Sequence, residues 1–245
     1  MAENAYVPVR DSILNLQFPN DNYGATDQVR LGTVYGGGVK TVLERGMADF
    51  DVSDLAGETV LHAELVRYVF DVVGAGGFAA RIARCTRPGT WVESEVTWNN
   101  YKAGTPWTAP GGDFTNTDPP FVSYTEAVFA QIGLYTVTGL GGLVQDAIDN
   151  RSGILSVIMR AEAEAPVEDG YVLWTSSEHL VEPWRVVVTF GEEAAGPTGR
   201  REPYVPGRGE RGAARPRRPA VPPGGMRPAA PLRPGSGQAL RGATI

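Results

Sequence analysis

Short runs rich in β-branched and aromatic residues recur along the chain as far as residue 190, each bounded by Gly, Asp, Asn or Pro. They occupy residues 28–34, 41–51, 59–73, 78–84, 95–98, 121–132, 153–162, 170–175 and 184–190. Short strands at that spacing predict an all-β fold, a jelly-roll β-sandwich. Residues 61–70, LHAELVRYVF, begin with alternation and become apolar at nearly every position, as expected of a strand whose second face is covered partway along. One helical period stands out within residues 138–150. Leu140, Leu143, Val144, Ala147 and Ile148 share a face, with Gln145, Asp146 and Asp149 opposite. This predicts a short helix covering one end or face of the sandwich.

After residue 192 the pattern stops. From Gly196 to Ile245 the chain has ten Pro, ten Gly and ten Arg, and one aromatic residue, Tyr204. Six larger aliphatic side chains in 50 residues bury too little surface to offset the entropy of ordering them. The expected organisation is a folded domain over residues 1–192 and a Pro/Gly/Arg-rich extended arm over residues 193–245, disordered unless bound. Charge divides the same way. The segment from Gly196 holds ten Arg and two Glu, a net of +8, while the preceding residues hold 12 basic and 26 acidic residues, a net of −14.

Composition narrows the function. No apolar run approaches the ~20 residues of a membrane span, and the opening MAENA lacks the basic and apolar regions of a secretory signal peptide. A single cysteine, Cys85, excludes an intramolecular disulfide framework and a cysteine-based zinc site. With only His62 and His179, most histidine-dependent catalytic and metal sites are disfavoured, and no nucleophile elbow, P-loop or His-Glu-x-x-His pattern occurs. The chain is therefore expected not to be an enzyme and to require no cofactor. Carboxylate pairs such as Glu93/Glu95 and Glu162/Glu164 read as solvated strand faces.

Several residues invite a binding role. In Glu95-Val96-Thr97-Trp98, alternation places Val96 and Trp98 on one face, which favours a core anchor over a sugar-stacking ring. Residues 101–120 form a long irregular segment rich in Gly, Pro and Thr, the kind that is usually functional or held by a partner. Tyr101, Trp107 and Phe114 within it, with Asn100 just before it, are candidate contacts for a glycan or a protein, with packing back onto the body as the alternative. Asn20, Asp21, Asn22 and Asp27 form a possible calcium set, since Ca²⁺ takes clustered carboxylate, amide and carbonyl oxygens. Asx turns account for the same residues. In the arm, Arg200, Arg201, Arg208, Arg211, Arg215, Arg217, Arg218, Arg227, Arg233 and Arg241 suit pairing to carboxylates of a protein partner better than nucleic acid. One aromatic residue offers little base stacking.

Three segments in order resemble DNRLRE-type domains. They are FPNDNYGATDQVRLG at residues 18–32, ERGMADFDVSDL with AELVRYVF and TWVESEVTWNN between residues 44 and 100, and YTVTGLGGLVQDAIDN with SSEH and WRVVVTF from residue 135 onward. The resemblance spans roughly residues 7–190. It implies a jelly-roll β-sandwich akin to carbohydrate-binding modules, found in glycan-active, surface-attached and viral structural proteins. Combined with the arm, it leads to the expectation of a non-catalytic structural or adhesive surface protein in a phage virion, as a head decoration, fibre or tail-associated protein. Its partners would be other virion or surface-assembly proteins reached through the arm, in an oligomeric or assembly-bound state, with no membrane involved. The alternative is a polysaccharide-binding module at the cell surface or outside the cell, exported by another route.

Overall fold

A computed structural model describes residues 1–36, 39–73, 78–115, 121–126, 132–162, 164, 170–179 and 182–191. The arm and its ten arginines lie outside the described residues. The body is an antiparallel β-sandwich with one helix. Its strands are β1 (Ala2–Tyr6), β2 (Arg10–Asn15), β3 (Gln28–Gly36), β4 (Val39–Asp51), β5 (Val60–Val73), β6 (Phe78–Cys85), β7 (Asn100–Lys102), β8 (Thr105–Pro106), β9 (Phe114–Thr115), β10 (Phe121–Glu126), β11 (Gly133–Thr138), β12 (Ile154–Ala161), β13 (Gly170–Thr175) and β14 (Arg185–Phe190), with helix α1 at Gly141–Asn150. Hydrogen bonding runs in the order β1-β14-β5-β13-β3-β4-β12-β6-β10. This non-sequential antiparallel order is of the jelly-roll kind. It is continuous because the two longest strands change partners along their length. β4 pairs with β3 through its first half and with β12 through its second, while β2 runs beside residues 44–49. β5 pairs with β14, then with β13, and with β11 over residues 64–69.

The interior between the layers is one apolar cluster drawn from β3, β4, β5, β6, β12, β13, β14 and α1. Phe50 meets Trp184 edge-on at 5.4 Å, and Trp174 lies 6.0 Å from Trp184. The predicted helical face is the one that packs: Leu143, Val144 and Ala147 are buried, and Leu140 at the N-cap joins them. Ten residues make a marginal helix alone, so tertiary contacts hold it. Leu140 N–H donates to the Ala63 carbonyl, Val60 N–H donates to Gln145 Oε1, and Asp146 accepts from Arg84 at 3.0 Å and Arg151 at 2.8 Å.

Two differences from the sequence pattern have physical causes. Residues 95–98 are a turn, since Val96 N–H bonds to the Val92 carbonyl and Asn22 Nδ2 caps the Glu93 and Val96 carbonyls. Val96 and Trp98 are nevertheless both buried. Of the expected 121–132 strand, residues 121–126 form β10, residues 127–131 lie outside the described residues, and β11 begins at Gly133. Strand β2, RDSILN, carries no polar alternation in the sequence, because Asp11 to Asn15 are all buried. Arg67, buried on β5, lies with its guanidinium carbon 4.8 Å from the Trp174 ring and 5.5 Å from that of Tyr124.

Gly153 joins helix to sandwich. Its N–H bonds to the Ala147 carbonyl, its carbonyl accepts Val52 N–H, its φ is +77°, and an added Cβ would stand 2.3 Å from Ser53 Cα. Gly153→Ala should therefore cost about 2–5 kcal/mol from left-handed strain and overpacking, read as a lowered midpoint in chemical denaturation.

Candidate functional site

Between β6 and β10 the chain leaves the sandwich and folds over the outer face of the β2–β4–β12–β6 layer. That face contributes Leu14, Leu43, Met47 and Ile158, and the excursion contributes Trp91, Val96, Trp98 and Trp107, which together with Cys85 make a second apolar cluster. Tyr101 and Phe114 pack against it, half-buried. Two carboxylates pin the excursion down. Asp49, fully buried on β4, accepts from Trp91 Nε1 at 2.9 Å, Gly89 N–H at 3.0 Å and the Ser156 hydroxyl, with Arg10 Nε at 3.4 Å. Burial raises its pKa, and those donors pull it back. Asp113 accepts from Arg87 Nε at 2.6 Å and from the Thr108 and Ala109 N–H groups at 3.1 Å. Burial pushes its pKa upward, but the donors outweigh burial and hold it below the ordinary carboxylate range.

Beside the second cluster, arginines and rings alternate. The Arg45 guanidinium carbon lies 4.8 Å from the Trp98 ring and 5.1 Å from Phe114; Arg160 lies 5.1 Å from Phe114, and Arg81 4.2 Å from Phe121. Arg160 and Arg81 face each other across β12 and β6. Such like charges are tolerable only when countered. Glu164 takes Arg45 through both oxygens, at 2.7 and 2.5 Å, and Arg45 Nη1 donates to the Gly111 carbonyl at 2.5 Å. Arg81 pairs with Glu162. Burial lowers the Arg160 pKa; Glu164 opposes this, and the neighbouring Arg45 and Arg81 add to it.

The outer rim of this face carries a groove of about 360 Å³ lined by Thr86, Thr108, Ala109, Gly112, Asp113 and Phe114. Only glycine serves at position 112, where φ is +100° and a Cβ would meet Ile158 Cδ1 at 2.5 Å. A ring beside two hydroxyls and a carboxylate offers stacking and hydrogen bonding to a polyhydroxylated ligand. Of the four predicted contacts, Phe114 lines this groove. Trp107 does not present a ring to solvent: it is 4% exposed, and its Nε1 donates to the Thr97 carbonyl at 2.9 Å. Tyr101 lies 5.6 Å from the Trp107 ring, with Arg87 stacked on it at 4.5 Å. Asn100 closes a turn, its N–H bonding to Thr97 Oγ1 and its carbonyl accepting Thr97 N–H.

Of the calcium set, the side chains of Asn20 and Asn22 and the backbone of Asp21 and Asp27 are hydrogen-bonded. Asn20 Oδ1 accepts from Asn99, and Asn22 spends its amide on the Glu93 and Val96 carbonyls and its oxygen on Gly24 N–H. The Asp27 carbonyl takes Ser176 N–H, and Asp21 N–H bonds to the Phe18 carbonyl. Among the described residues, three acidic groups converge elsewhere, at Asp11, Glu93 and Glu178. Glu93 and Glu95 do not share a strand face; they accept Asp11 and Ala103 N–H groups. Glu162 and Glu164 bind arginines. His62 lies 3.3 Å from Glu64, and His179 Nδ1 accepts Glu182 N–H. Cys85 is buried, which pushes its thiol up to about 11.

Fold and loop face together define the body as an all-β sandwich with an elaborated outer surface. No protein-family model matches the chain, and comparison with curated proteins returns no match.

Asp113→Asn removes the acceptor on which Arg87 and two amides converge. Because the folded-state pKa of Asp113 is depressed, its contribution is present above the ordinary carboxylate range and lost as pH falls through the folded value. The variant should be less stable than the parent by about 1–3 kcal/mol near neutrality. In paired denaturation curves the gap should close below about pH 4.

Proposed function

We propose that this is a non-catalytic structural and adhesive surface protein, a virion component such as a head decoration, fibre or tail-associated protein. Its β-sandwich supplies a rigid body, and its C-terminal arm fixes that body to an assembly. The observation that carries this reading is where the chain places its aromatic rings: all five tryptophans are buried, three of them tying the excursion to the sandwich. That investment makes a stiff module rather than a ring-lined cleft. The opposite charges of body and arm, −14 and +8, suit attachment through arginine–carboxylate pairs, and prolines limit the entropy lost when the arm is ordered. The ordered motifs that resemble those of DNRLRE-type domains point the same way. Truncation after Gly196 should leave the far-UV spectrum and melting of the body intact and abolish incorporation into the particle; normal incorporation would overturn the reading.

The groove favours a second reading, a polysaccharide-binding module, because Phe114, Thr86 and Thr108 there form a small stacking and hydrogen-bonding surface. The acidic body suits a neutral glycan better than an anionic one. In affinity electrophoresis on neutral polysaccharides, Phe114→Ala with Thr108→Ala should weaken retention at least tenfold without unfolding. Trp107→Ala, by contrast, should destabilise the body by about 3–5 kcal/mol.

A further inference from the structure

Strand β11 is a sheet edge. Among the described residues it pairs with β5 alone, from Gly133 opposite Val69 to Thr138 opposite Glu64 in unbroken register. The N–H and C=O groups that point away from β5 have no strand partner among the described residues. Tyr135 and Val137 pack on the main core, and Leu134, Thr136 and Thr138 alternate outward, all three exposed. Leu134 is 57% exposed and Ile132, just before the strand, 64%; apart from Met1 they are the most exposed large apolar residues described.

The sheet face beside this edge is apolar too. The run at residues 61–70 predicts a cover over the second face of β5, and helix α1 does not supply it. The helix packs into the main core with Ala63, Leu65 and Val69, whereas Val66 and Tyr68 alternate to the outside. Tyr68 stands opposite Leu134 and is half-buried, and Val66 stands opposite Thr136.

Other edges are defended. On β1, Glu3 is exposed, and Asn4 and Tyr6 are tied to Asp54. On β2, the Glu93 carboxylate takes the Asp11 N–H. Strand β11 has no charged side chain, proline or bulge, the devices that stop edge-to-edge pairing. Residues 127–145 hold no Asp, Glu, Lys or Arg, the longest uncharged run in the chain. Charge therefore selects the partner. Bodies of net −14 repel one another, and an uncharged edge is where two copies meet with least like-charge repulsion. A basic partner finds little to pair with there. Of the β5 residues paired with β11, Glu64 is the one acid, and it lies 3.3 Å from His62.

We propose that β11 is an assembly edge at which a second copy of this chain adds its own β11 antiparallel, continuing the β5–β11 layer across a twofold axis. Such an interface is isologous, so Leu134 of each copy meets the same edge of the other. The contact is small against the ~1,200–2,000 Å² of a stable complex, so the equilibrium belongs on the order of 10–100 μM. This pairing goes beyond the attachment through the arm and does not rest on it.

Sedimentation velocity of the full chain across that concentration range tests it, with hydrogen exchange read at the same concentrations. The parent should shift from monomer to dimer, and amide exchange should slow in residues 133–138 but not in β1. Leu134→Lys, at an exposed position where the far-UV spectrum and melting should be unchanged, places a charge twice in a twofold interface. It should weaken the dimer by roughly tenfold or more. Sodium chloride at about 0.5 M should leave the parent dimer intact, because screening removes repulsion between the bodies. A parent that stays monomeric, a dimer that Leu134→Lys leaves unchanged, or slowing at β1 instead of β11 would overturn the proposal. So would dissociation in salt, which would assign the contact to arginine–carboxylate pairs.

Discussion

The body depends on burying the β4–β12 pair on both faces. One face looks into the main core; the other is covered by the excursion between β6 and β10. Strand β12 is buried from Leu155 to Ala161, including Ser156 and Arg160. Covering the second face removes apolar surface from water, but it also traps polar groups that face outward by alternation. Each trapped group must then find a partner, because an unpaired buried charge costs far more than the pairing returns.

That requirement explains the polar architecture of the loop face. Asp49 is tolerable because an indole, an amide, a hydroxyl and a guanidinium converge on it. Arg45 is tolerable because Glu164 and a carbonyl satisfy its fork while Trp98 and Phe114 supply ring faces. The same contacts fasten the excursion, so a segment without long strands of its own becomes a rigid layer. Its outer rim is where a groove lined by Phe114, Thr86 and Thr108 opens.

Much of the sandwich was legible in the pattern of residues. Runs at 28–34, 41–51, 59–73, 78–84, 153–162, 170–175 and 184–190 became strands with ends shifted by a few residues, and the helical face from Leu140 to Ile148 packs as its period predicts. The candidate site was less legible. In the sequence Trp107 suits a loop contact or packing back onto the body alike, and it is buried, whereas Phe114, from the same loop, reaches the groove. Asp11, Asp49 and Arg45 are indistinguishable in the sequence from surface charges, and β2 lacked the alternation that would have revealed it.

Local composition determined the strand and helix periods, the burial of Val96 and Trp98, and the contrast between an acidic body and a Pro/Gly/Arg-rich arm, because these follow from side-chain spacing and from the balance of apolar surface against chain entropy. Tertiary structure alone decided which charges are desolvated and which carboxylates meet. Asp11, Glu93 and Glu178 come together from positions up to 167 residues apart, and no local pattern encodes a contact made only when a loop folds back over a sheet.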